Sequence, residues 1–109
     1  MVDKLLTGAG FVLNKTYKET RFLKPPQTTY AVYNDSVAVR GGDYVNCIKE
    51  HDVTIELYEH TPDKDAEVKI EEQLDLLGLE YEKQERYFIQ EEQLYQVIYD
   101  FSYIEKGGH

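Results

Sequence analysis

The sequence predicts an α+β fold: a mainly antiparallel sheet of about five strands with two helices on one face, in the order α-β-β-β-α-β-β. Three observations carry this. Residues 44–59 and 94–105 alternate apolar and polar side chains, as half-buried strands do. Residues 62–77 carry an apolar stripe at helical spacing between start and stop signals. The chain has 109 residues, which suits one domain spanning 1–109 and is too short for two ordinary ones.

Taken in order, Val2, Leu5, Leu6 and Ala9 have helical spacing that Gly8 and Gly10 cut short. Phe11-Val12-Leu13 reads as a short strand, and Lys15 to Lys24 as a polar, basic stretch closed by Pro25-Pro26. Thr28 to Asn34 alternates tyrosine with small apolar residues and reads as a strand. Gly41-Gly42 supplies the positive φ of a two-residue hairpin turn, which leads into the long strand Tyr44–Glu59. The next helix has Thr61 as N-cap, Pro62 in its first turn and a stripe of Ala66, Ile70, Leu74 and Leu77. Gly78 stands where a left-handed C-cap belongs. Tyr81–Ile89 and Leu94–Glu105 follow as two strands, with Tyr95, Val97, Tyr99, Phe101 and Tyr103 on one face of the second. Residues 106–109 read as a frayed tail.

Composition narrows the function classes. The one cysteine, Cys47, excludes an internal disulfide and reads as a small buried hydrophobe. The absence of a leader or a long apolar run argues for a cytoplasmic site of synthesis. Twenty-one acids against twelve bases give −9, unevenly spread. Residues 1–30 carry five bases and two acids, whereas the rest carries seven bases and nineteen acids. Such a field argues against general binding of nucleic acid, whose affinity rests on neutralising phosphates.

No pattern of catalytic, cofactor-binding or metal-ligating residues emerges. His51 and His60 stand at opposite ends of one strand, roughly 30 Å apart if extended, and cannot share a metal. Gly8-Ala9-Gly10 lacks the third glycine and the preceding strand of a dinucleotide loop. Glu67, Glu71, Glu72 and Asp75 fall on the polar side of the helix, as a solvated face does.

The run Ile55-Glu56-Leu57-Tyr58, Glu67 to Leu74, and Leu94 to Phe101, with Pro25-Pro26 and Tyr30-Ala31-Val32-Tyr33 before it, resembles a known family. It is similar to the small tail terminator or tail-to-head joining (tail completion) proteins of long-tailed phages and prophages of Gram-positive bacteria. The likeness spans Leu5 to Glu105 and rests on the hydrophobic pattern. It implies a structural virion protein at the head–tail junction, made in the bacterial host cytoplasm. Its partners would be further copies of itself in a ring, hexameric in relatives, with the tail tube protein and the head connector. No membrane is implied, and nucleic acid enters only as DNA passing through the ring lumen. The family carries no catalytic residues and no cofactor. A small acidic regulatory or inhibitory protein-binding module is the rival reading, and an enzyme with an unrecognised site the other.

The hairpin is the candidate protein interface. A two-residue turn at Gly41-Gly42 pairs Arg40 with Asp43 and Val39 with Tyr44. Val37, Val39, Tyr44 and Ile48 then share the face opposite Ile55 and Leu57, with Arg40 at the tip. An apolar patch there would mark a contact surface.

Overall fold

The structure is a computed structural model and describes residues 1–41 and 47–107. The described elements are α1 (Val2–Gly8), β1 (Tyr17–Glu19), β2 (Tyr30–Arg40), β3 (Cys47–Glu59), α2 (Lys64–Leu76), β4 (Tyr81–Lys83), β5 (Tyr87–Ile89) and β6 (Leu94–Gly107). The class is α+β as expected, with six strands in one mixed sheet ordered β1-β2-β3-β6-β4, and β5 also on β6.

The parallel component is β1 on β2. Tight turns force antiparallel neighbours, but residues 20–29 form a long connection that brings the chain back in the same direction. β1 lies in the basic stretch, and the apolar Phe11-Val12-Leu13 is not a strand. The Val12 carbonyl accepts from the N–H groups of Lys15, Thr16 and Tyr17, so the chain curls before a strand can run.

Both helices cover one face of the sheet. Val2, Leu5 and Leu6 from α1, and Ile70 and Leu74 from α2, pack on Ala31, Val53, Ile55, Leu57, Val97, Tyr99 and Phe101. The α2 stripe therefore has the expected phase. Its N-cap is Asp63 rather than Thr61: one carboxylate oxygen accepts from Ala66 N–H at 3.1 Å, the other from Thr29 Oγ1 at 2.6 Å. At the C-terminus Gly78 takes φ +69°, and Leu79 N–H reaches back to the Leu74 carbonyl. This double-bonded end needs a left-handed residue, which glycine adopts without strain.

The predicted strand Tyr81–Ile89 is split. Lys83 pairs with Tyr99, but Tyr87 pairs with Gln96, so residues 84–86 oppose only 97–98. The extra residue is a bulge, and it reverses the facing of everything beyond it.

The β2–β3 register corrects the expected hairpin. Arg40 pairs with Ile48 and Tyr30 with Tyr58, an offset of five from a two-residue turn. An odd offset exchanges faces, and burial decides between the two: Ala31 and Tyr33 must share the core side with Leu57 and Ile55. Val37 and Val39 therefore belong to the helix-side face, and Ile48 to the other. Gly42, Asp43 and Tyr44 lie outside the described residues, as does the side chain of Cys47. Residues 106 and 107 are strand rather than frayed tail; residues 108 and 109 lie outside the described residues. Among the described residues no helix is long and apolar enough to cross a membrane.

Candidate functional site

The three central strands outrun the helices. Beyond Tyr33, Val53 and Phe101 the sheet continues as a three-stranded arm of β2, β3 and β6, past the buried cluster that the described helices share, and the molecule measures 49 × 28 × 23 Å. Alternation along the arm places Asp35, Val37 and Val39 on the helix-side face with His51, Lys49, Tyr103 and Glu105. Val37 is 46% exposed and Val39 63%. Ile48, on the far face, is half-buried, and Arg40 pairs with Glu50 there. Of the five residues expected at the interface, Val37 and Val39 thus come together; Arg40 and Ile48 face the other way, and Tyr44 lies outside the described residues.

His51 ties the arm together, which sequence reasoning missed. Its Nδ1 stands 2.9 Å from both oxygens of Asp35 on β2, and its Nε2 2.9 Å from Glu105 on β6. The ring stacks on Tyr103 at 4.2 Å. Burial alone would lower the imidazole pKa, but the hydrogen bonds to Asp35 and Glu105 outweigh it and raise the value. Only an imidazolium donates from both nitrogens, so the doubly bonded clamp is complete when His51 is charged. The signal was recoverable only with register in hand, because the three residues lie far apart in sequence. Among the described residues no group of three or more His, Cys, Asp or Glu is placed to hold a metal ion.

A second polar cluster sits at the opposite end of the helix-side face, beneath α2. Arg86, turned inward by the bulge, donates from Nε to Glu59 at 3.2 Å and from its terminal nitrogen to Glu67 at 2.5 Å. Lys83 Nζ bonds Glu67 at 3.0 Å and Glu71 at 2.7 Å, and Tyr99 donates to Glu71 at 2.7 Å. Glu59 is fully buried; its Oε1 accepts from Arg86, and its Oε2 has no hydrogen-bond partner among the described residues. Burial, then the neighbouring Glu67, push the Glu59 carboxyl up to about 7, with Arg86 pulling the other way. Burial would raise Glu67 too, but the neighbouring Glu59 carboxyl and the bonds from Arg86 and Lys83 hold it down to about 2. A proton kept on Glu59 lets two buried carboxyl groups share one guanidinium. Glu67, expected on the solvated face, is instead buried; without the bulge Arg86 would point away from it.

A raised carboxyl beside a lowered one is also the signature of an acid–base pair. The chemistry would need a cleft. A concavity of about 730 Å³ among the described residues lies elsewhere, along the middle of β3 (Asp52–Thr54) and β6 (Asp100–Ser102) beside residues 78–82, and neither Glu59 nor Glu67 lines it. The cluster ties α2 to β3, β4 and β6 and to Arg86 just before β5.

No protein-family model matches the sequence, and a search of curated proteins gives no match. The fold has solved counterparts. One is a chain of the virion of a native gene transfer agent (GTA) particle, with a TM-score of 0.60. The match covers 94% of this chain and 84% of that one at 15% identity, which makes it a likeness of fold.

Proposed function

We propose that this chain is a non-catalytic structural protein of a phage-like virion, acting at the head–tail junction as a ring that caps the tail tube and joins it to the head connector. The observation that carries the proposal is the fold shared, over nearly the whole chain, with a virion component. The sequence resemblance to tail terminator and joining proteins is independent of that likeness and supports the same reading. So does the arm, a long sheet extension whose outer edges have no strand partner among the described residues. The charge split suits a ring in which the basic N-terminal third of one subunit lies against the acidic remainder of the next, a head-to-tail contact that closes.

The proposal is tested by mixing the purified protein with tail tubes lacking their terminal cap and imaging the tube ends. Discrete rings at one end, weakened by raised salt, are the expected result. A protein that neither binds tube ends nor self-associates overturns it. The rival reading as an acidic protein-binding module has one feature in its favour. Glu50, Asp52, Glu56, Glu82 and Asp100 share the sheet face away from the helices. A monomer that captures a basic protein through that face would favour it.

A further inference from the structure

Both outer edges of the arm are open. β1 meets β2 only at Ala31–Tyr33, and β4 meets β6 only at Tyr99–Phe101. Among the described residues, nothing pairs with the outer side of β2 from Asn34 to Arg40 or of β6 from Ser102 to Gly107. The bonds at the covered ends identify the backbone groups that point outward. Ala31 N–H donates to the Thr16 carbonyl, and the Tyr33 carbonyl accepts from Thr20 N–H. Outward groups alternate along an antiparallel strand, so those of Asp35, Val37 and Val39 follow. On β6 the Ile98 carbonyl accepts from Gln84 N–H, so the outward set there is Ser102, Ile104 and Lys106.

Open edges are templates for strand addition, and proteins that must stay apart blunt them with proline, bulges or charge. Neither edge has a proline, and the β2–β3 and β3–β6 pairings run without a bulge. Three of the six outward positions, Val37, Val39 and Ile104, are apolar and 46%, 63% and 59% exposed.

The geometry also selects the occupant. β2 and β6 both run antiparallel to β3 and hence parallel to each other. They are level: Val37, His51 and Tyr103 form one row, and Val39, Lys49 and Glu105 the next but one. A second copy in the same orientation therefore brings its β2 edge beside the first copy's β6 edge, direction and length already matched. One contact, repeated, covers both edges and leaves neither over in a closed ring.

We infer that the arm is the self-assembly element: β6 of one copy adds in parallel to β2 of the next, continuing three strands per subunit into a sheet that runs around the ring. Main-chain bonds supply the pairing, and Val37 and Val39 of one copy come beside Tyr103 of its neighbour. The inference deepens the ring reading above and rests on it.

Proline at an outward position deletes one intersubunit donor while keeping the bonds to β3. Val37→Pro blocks the β2 edge, and Ile104→Pro blocks the β6 edge. By light scattering, each variant alone is expected to be monomeric at concentrations where the wild type assembles. An equal mixture is expected to form a heterodimer and nothing larger, because one sound edge remains on each. Circular dichroism follows the fold; if proline disturbs it, Val37→Lys with Val39→Lys keeps every backbone group and is expected to block assembly equally. Wild-type assembly by both the proline and the lysine variants overturns the edge pairing and leaves the ring standing. A mixture that grows beyond two overturns the head-to-tail order. A wild type that stays monomeric, both alone and on tail tubes, overturns the ring itself.

Discussion

The body and the arm of this molecule are built from the same three strands yet solve opposite problems. Over Tyr30–Tyr33, Val53–Glu59 and Val97–Phe101 the helix-side residues belong to the core that α1 and α2 share, or to the polar cluster beneath α2. Past those levels the strands keep pairing with one another but no described helix residue packs on them, and exposed Val37 and Val39 share the face with the His51 clamp, Lys49 and Glu105. Hydrophobic burial holds the body; main-chain bonds and one histidine clamp hold the arm. Stability and assembly should therefore separate on mutation.

Leu74→Ala should give the largest effect. Leu74 is fully buried, so equilibrium urea unfolding should show a loss of about 2–5 kcal/mol. Arg86→Met comes next. It strands Glu59 and Glu67 without their shared cation, and removing one partner of a buried pair costs about 3 kcal/mol or more. Because the Arg86 side chain is 28% exposed, the expected cost lies at the lower end, about 3 kcal/mol. A small loss would mean that the cluster fastens nothing.

The pH response distinguishes the two regions further. Glu59 is raised, so the folded state holds its proton more tightly than the unfolded chain does. Its contribution is complete below the ordinary carboxyl value and is lost as pH rises through about 7. Glu67 is lowered, and its contribution fails only as pH falls toward about 2. His51 is raised, so the clamp weakens as pH climbs above the ordinary imidazole range. Melting temperature should fall from mildly acidic to mildly alkaline pH, and Glu59→Gln should flatten much of that slope. An unchanged slope in Glu59→Gln would remove the buried carboxyl as its source.

His51→Gln should lower global stability by about 1–2 kcal/mol, since it removes charge-assisted hydrogen bonds to Asp35 and to the exposed Glu105 but no packing of the main core. It should nevertheless speed amide exchange at Asp35–Arg40 and weaken assembly. The smallest stability effect belongs to Val39→Asp, within about 0.5 kcal/mol for an exposed position, together with loss of assembly. If that substitution unfolds the protein, the arm belongs to the core after all.

Local patterns made the body legible in the sequence. The α2 stripe, Gly78 and the tyrosine-rich face of β6 each fix an element without reference to any other. The arm was not, because its facing depends on a register that no local pattern sets. Gly41-Gly42 suggested a turn, but the burial of Ala31 and Tyr33 opposite Leu57 and Ile55 overruled it. The bulge at residues 84–86 was hidden for a related reason. It inserts one residue into a strand whose two halves each look regular, and its effect shows only in where Arg86 points. The resemblance to joining proteins lay in the hydrophobic pattern, which tracks the body and says little about the arm's edges.

Hydrogen exchange on the assembled and monomeric protein tests the division most directly. The amides of Val37, Val39, Ile104 and Lys106 point outward from open edges and should exchange quickly in the monomer. In the assembly they should become protected, while amides of α2 and of the body strands change little. Protection that spreads over the helices, or that leaves these four amides exchanging as before, would contradict the account.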